Sequence, residues 1–169
     1  QKGVWADAIA TVEGIDRAAV DKLALTSKQR AAQAIAEGRF NRSLITVTNP
    51  DGSVALDHEE FPRPETTLES LSGLKTVFDV VRDVPVEATG TTYGQLIQRK
   101  YPDLENFNHI HHAGNSSGVV DGAAALLLAS EDYIQRTGLK PRARVVATAN
   151  QGDCPTLMLN APVPAARKV

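Results

Sequence analysis

Thiol chemistry is nearly absent from this chain: one cysteine, Cys154, stands among 169 residues. A lone cysteine excludes an internal disulfide framework and any zinc finger, and it fits a reducing, cytoplasmic compartment. A dominant charge is missing as well. The 18 Lys and Arg against 20 Asp and Glu leave a formal net charge of −2, so no strong field draws nucleic acid or an anionic membrane, and the expected partners are small molecules or protein. The longest strongly apolar run, residues 123–129, falls far below the roughly 20 residues that cross a bilayer. No signal-peptide pattern opens the chain, and it holds no internal repeat and no low-complexity tract. The length suits one ordinary domain, soluble and large enough to bury a core. Both ends read as interrupted: Gln1 stands where an initiator Met is usual, and "PVPAARKV" starts a Pro-led helix with barely a turn to run. The expectation is a section of a longer polypeptide.

What is present is well punctuated. Trp5, Ala8, Ile9 and Val12 repeat at helical spacing up to Gly14, a residue suited to the left-handed end of a helix. Asp16 then caps a second helix, with Ile15 and Val20 placed as a hydrophobic staple. Its expected inward stripe is Val20, Leu23, Ala24, Ala31, Ala34 and Ile35, ending before Gly38, with Lys22, Lys28, Arg30 and Glu37 on the solvated face. The turn sequence Asn49-Pro50-Asp51-Gly52 lies between residues 44–48 and 53–56 and predicts a hairpin. Thr66 and Glu69 have capping-box spacing ahead of Leu68, Leu71 and Leu74, which predicts a short helix. From 80 to 108 the pattern is irregular, apart from a helix expected over residues 94–100. Further on, residues 123–129 read as a buried strand, 131–137 as a helix closed by Gly138, and 144–148 as another strand, an α/β succession.

Four groups of residues carry chemistry worth weighing. Cys154 has Asp153 beside it, which opposes thiolate formation, so it reads as inert. His109, His111 and His112 form an H-x-H-H cluster, but no acidic or cysteine ligand at a familiar spacing accompanies them. Hydrogen bonding is therefore the reading preferred over metal binding. Arg63, in the carboxylate-rich "DHEEFPRP", is either a salt-bridged structural residue or, with the Ser70 hydroxyl, a grip on a phosphorylated ligand, since a guanidinium fork matches phosphate oxygens. In "AGNSSG", Gly114 and Gly118 bare the main chain while Asn115, Ser116 and Ser117 present small polar groups. That is either an ordinary polar turn or a place where a ligand passes close to the backbone.

The blocks "GIDRAAVDKLALTSKQRAAQAIAEGRF", "DHEEFPRPETTLESLSGLKTVF", "AGNSSGVVDGAAALLLAS" and "GLKPRARVVATA", with the later "APVPAARKV", resemble the thiolases, which degrade or form 3-ketoacyl-CoA. The resemblance runs across nearly the whole chain in the family's order. It implies an α/β chain taken from the layered αβαβα thiolase fold, including its inserted loop domain. Residues 1–118 would be the loop domain, 119–139 the last part of the N-terminal half, and 140–169 the start of the C-terminal half. It implies that Ala113, Ser116 and Ser117 line the pantetheine tunnel and that Arg63 and Ser70 lie near the nucleotide end of CoA. No residue of the chain matches a catalytic position. The family's nucleophilic cysteine would fall upstream of Gln1, its Asn-Glu-Ala-Phe, Gly-His-Pro and second-cysteine loops downstream of Val169, and Cys154 corresponds to none of them.

For an intact enzyme the resemblance implies acyl transfer between CoA thioesters through a cysteine acyl-enzyme, in β-oxidation or acetoacetyl-CoA metabolism. It implies acyl-CoA as substrate, no permanently bound cofactor or metal, a cytoplasmic location, and a homodimer or homotetramer. Segment 79–112 is longer than in many thiolases and resembles a bacterial subgroup that includes partners of fatty-acid oxidation complexes. Two rival readings stand beside this one: a non-catalytic, thiolase-like acyl-CoA or lipid binder, and a metal-dependent hydrolase built on the three histidines.

Overall fold

The structure, a computed structural model, describes residues 2–104 and 106–169. It divides into two units, Gln1–Gly118 and Val119–Val169. In the first, α1 (Lys2–Val12) ends as its glycine announces: Gly14 takes a φ of 64° and the Ile15 amide donates back to the Ala10 carbonyl at 2.8 Å. Asp16 caps α2 (Arg17–Ala36) by accepting from the Ala19 amide at 2.7 Å. The hairpin pairs β1 (Val47–Thr48) antiparallel with β2 (Val54–Leu56), Val47 opposite Leu56 and Thr48 opposite Val54, with a bulge between the two pairs. Two short helices follow, α3 (Leu68–Ser72) and α4 (Tyr93–Lys100). The second of these contains the helix expected over 94–100, begun one residue earlier behind a capping box made by Thr92 and Gln95.

The core of this unit is small. Val4, Ala8 and Ala10 of α1 join Leu71, Ile97, Phe107 and Ile110, all buried, and the Trp5 ring meets the Tyr93 edge at 5.4 Å to tie α1 to α4. The rotation of α2 departs in part from the sequence expectation. Leu23 is 70% exposed and Ile35 is also in solvent, while the buried residue of the helix is Asp21. Arg17, Asp21, Ala24 and Lys28 share the sheltered face, because Asp21 and Arg17 have hydrogen-bonding partners there that fix how the helix is turned. Val20, Ala24, Ala31 and Ala34 of the expected stripe are half-buried.

In the second unit, Ser130 caps α5 (Glu131–Thr137) through the Tyr133 amide at 3.2 Å, and Gly138 closes it, as expected. The last helix, α6 (Pro162–Lys168), starts on proline and has its Lys168 ammonium on the Asn150 carbonyl and the Gln151 side chain, both at 3.2 Å. The two expected strands do not form. Residues 123–129 and 144–148 are irregular, Leu126 is 93% exposed, and Leu127, Leu128, Val145 and Val146 are exposed with it. A strand satisfies its amides and carbonyls only through a neighbour, and among the described residues the one ladder is that of β1 and β2. The described elements are mainly helical. No described helix is long and apolar enough to cross a membrane.

Candidate functional site

The bare backbone of "AGNSSG" is packed on both sides. A methyl group on Gly114 would lie 2.5 Å from Leu71 Cδ2 and 2.7 Å from Leu74 Cδ1, and one on Gly118 would run into the Phe61 ring. The turn thus lies between the end of α3 and the loop before it. The five residues marked in the sequence lie on these segments or beside the contacting residues in the chain. Ser70 is next to Leu71; Arg63 follows Phe61 by two positions, its guanidinium 6.0 Å from the ring centroid; Ala113, Ser116 and Ser117 are on the turn itself. Ala113 and Ser117 are exposed and Ser116 is half-buried.

The polar groups of this neighbourhood differ in how committed they are. Arg63 Nη1 donates to the carbonyls of Glu60, Phe61 and Pro62 at 2.9, 3.1 and 3.0 Å, which closes the loop. Its Nε and Nη2 have no partner among the described residues, so the outer edge of the fork remains for an anion. Ser70 is engaged more fully. Its hydroxyl accepts from the Thr67 amide at 3.0 Å and donates to the Thr67 carbonyl at 2.9 Å. Thr67 is thus the cap of α3, one residue later than the expected Thr66, because serine at the third helical position completes the box in place of a glutamate. Thr66 instead donates to the Arg63 carbonyl at 2.8 Å. The Ser116 and Ser117 hydroxyls make no hydrogen bond to another described residue.

Beneath the turn is a network absent from the sequence reading. Asp7 of α1, fully buried, receives His109 Nδ1 on Oδ2 at 2.7 Å and His111 Nδ1 on Oδ1 at 2.6 Å, and Oδ1 also accepts the Ile110 and His111 amides. Burial opposes ionisation of this carboxyl, but the hydrogen bonds from His111, His109 and Ile110 outweigh it and hold its pKa below the ordinary 3.8. Asp21 of α2 works the same way. Burial again opposes its charge, and the bonds from Arg17, His112 and Asn115 overcome that and lower its pKa. His112 Nε2 donates to Asp21 Oδ1 at 2.8 Å, and the Gly114 amide donates to His112 Nδ1 at 3.0 Å. Since an amide N–H can only donate, His112 carries its proton on Nε2.

The histidine cluster is therefore hydrogen-bonded, with its acidic partners supplied from helices about 90 to 105 positions away. Among the described residues no group of three or more His, Cys, Asp or Glu has the geometry to hold a metal ion. The sequence does hold one signal for the network: Asp7 interrupts the apolar face of Val4 and Ala8, where a charge needs buried partners. Cys154 is half-buried in the second unit, its amide donating to Asp153 Oδ1 at 2.6 Å.

Comparison with known proteins agrees with the motifs. Residues 1–88 match the family described as thiolase, N-terminal domain. The chain is 39% identical over 166 residues to the beta-ketoadipyl-CoA thiolase of Pseudomonas aeruginosa, a match covering 97% of this chain and 35% of that protein. It is 40% identical over 167 residues to the 3-oxoadipyl-CoA/3-oxo-5,6-dehydrosuberyl-CoA thiolase of Escherichia coli, covering 97% and 35%. To the 3-ketoacyl-CoA thiolase of Pseudoalteromonas translucida it is 38% identical over 169 residues, covering 98% and 37%. The chain thus spans little more than a third of the length of these curated relatives. Among solved structures, the dimeric peroxisomal thiolase of Saccharomyces cerevisiae aligns with 54% of this chain and 22% of its own at 33% identity, with a TM-score of 0.42, a level at which shape decides nothing. The domain match and the near-complete coverage at these identities place the chain in the thiolase family.

Proposed function

We propose that this chain supplies a CoA-binding surface to a thiolase that transfers an acyl group between CoA thioesters, in 3-ketoacyl-CoA cleavage or acetoacetyl-CoA formation, through a cysteine acyl-enzyme. The observation that supports the reading is the packing of Gly114 against Leu71 and of Gly118 against Phe61, near neighbours in the chain of Ser70 and Arg63; on this reading Arg63, Ser70, Ala113, Ser116 and Ser117 share one surface. The uncommitted Arg63 nitrogens receive the phosphates of the nucleotide end, with Ser70 alongside, and the narrow pantetheine arm follows the turn past Ala113, Ser116 and Ser117. These residues bind; none of them is assigned a catalytic step, and Cys154 is not the nucleophile. By this reading residues 1–118 form the loop domain, 119–139 close the N-terminal half, and 140–169 open the C-terminal half. The whole enzyme acts in the cytoplasm as a homodimer or homotetramer, with a fatty-acid oxidation complex as a partner through the long 79–112 segment.

Calorimetric titration of the chain with CoA and with pantetheine tests the assignment. Arg63→Ala should weaken CoA by about 10- to 100-fold, the equivalent of one or two charge-assisted bonds, and leave pantetheine unchanged. Ser117→Trp, which obstructs the turn, should weaken both. CoA affinity indifferent to both substitutions overturns the reading.

A further inference from the structure

The geometry points to Asp21 as a positioning residue: the joint that sets the distance between α3 and the 112–117 turn, and so between the two elements assigned above to the coenzyme. The inference rests on that coenzyme reading and adds to it the residue on which its geometry depends.

Each oxygen of Asp21 serves a different element. Oδ2 accepts from Arg17 Nε at 2.9 Å, and Arg17 Nη2 donates at 2.8 Å to both the Leu71 and Leu74 carbonyls at the end of α3. Oδ1 accepts from His112 Nε2 at 2.8 Å and from Asn115 Nδ2 at 2.9 Å, both on the turn. The turn is in turn held closed from within. Asn115 Oδ1 accepts the His112 amide at 2.8 Å, Asn115 Nδ2 also reaches the Ile110 carbonyl at 3.0 Å, and the Gly114 amide is on His112 Nδ1. Asp21 is 3% exposed, so water does not readily substitute for a lost partner. Gly114 also lies against Leu71 and Leu74, a contact that is non-directional and sets closeness rather than register. Buried, hydrogen-bonded second-layer groups of this kind hold binding residues to within fractions of an ångström.

The test is whether a disturbance at one element reaches the other. Arg17→Met touches only the α3 side of the joint, yet hydrogen exchange at the Gly114 and Asn115 amides should quicken by about tenfold, and the CoA Kd of the chain should rise by about the same factor. Asn115→Ala, on the turn side, should quicken exchange at Gly73 and Leu74 in return. His112→Gln, whose side-chain amide can still donate to Asp21, should keep CoA affinity and exchange at Asn115 near wild type while exchange at Gly114 quickens with the loss of Nδ1, whereas His112→Ala should lose CoA affinity as well. Asp7→Asn is the control: a buried carboxylate lost from the same unit with no bond to α3 or to residues 112–117, so CoA affinity should hold. Turn exchange unmoved by Arg17→Met, or a CoA loss in Asp7→Asn equal to that in Arg17→Met, overturns the proposal. Failure of the wild-type chain to bind CoA overturns the coenzyme reading instead, and exchange passing from Arg17 to the turn would still support the joint.

Discussion

The first unit places two carboxylates inside and shows few large apolar side chains in its core, while the second leaves Leu126, Leu127 and Leu128 in solvent. Judged by composition alone, the leucines should be the anchored residues and the aspartates the exposed ones. The reversal shows that a partner decides burial more than polarity does. Asp7 finds two imidazoles and two amides that together match its charge, whereas the apolar run 123–129 finds no ladder to complete its backbone.

The sharpest way to break the contrast is Asp7→Ala. It strands His109, His111 and the Ile110 amide and should lower the stability of the first unit by about 3–5 kcal/mol, the range for removing one member of a buried charged set. Urea titration followed by fluorescence of Trp5, the chain's one tryptophan, reads this unit alone because the ring is in contact with Tyr93 of α4. Acid tests the same carboxylates together. Their folded-state pKa values lie below the unfolded 3.8, so their contribution is fully present near neutrality. It should erode as pH falls through 3.8 and vanish once the folded carboxyls are protonated. A Trp5 transition that shows no loss of stability on acidification from pH 6 to below 3.8 would refute this.

A smaller effect attends Gly114→Ala, whose methyl would press on Leu71 and Leu74; overpacking of this kind costs about 1–3 kcal/mol and should appear as a lower urea midpoint. Smallest of all is Leu127→Ser. That side chain is exposed, so the change should stay within about 0.5 kcal/mol in calorimetry of the chain, and a larger loss would mean that the run is buried after all.

Helix limits were legible wherever one residue writes them. Gly14, Asp16 and Gly138 act on amides or carbonyls a few positions away, and each appears where expected. The start of α3 was displaced because two adjacent threonines both fit, and Ser70 rather than Glu69 completes the box. Of the site, Arg63, Ser70, Ser116 and Ser117 were marked by their chemistry in a loop and a bare turn, with alternatives left open that the family motifs then narrowed, and Ala113 was marked through the motifs alone. Asp7 and Asp21 went unmarked because their partners are about 90 to 105 positions distant, beyond any local rule. The strands at 123–129 and 144–148 failed for a related reason: apolar β-formers describe what a strand prefers, and pairing is what makes one.

Arg17 has a consequence for the order of events in folding. α3 has five residues, and a lone segment that short does not persist in water, where about 12–15 residues are marginal. The guanidinium that covers its last carbonyls arrives from more than fifty positions earlier, and only after that long loop has closed. α3 is therefore a product of assembly rather than a seed for it.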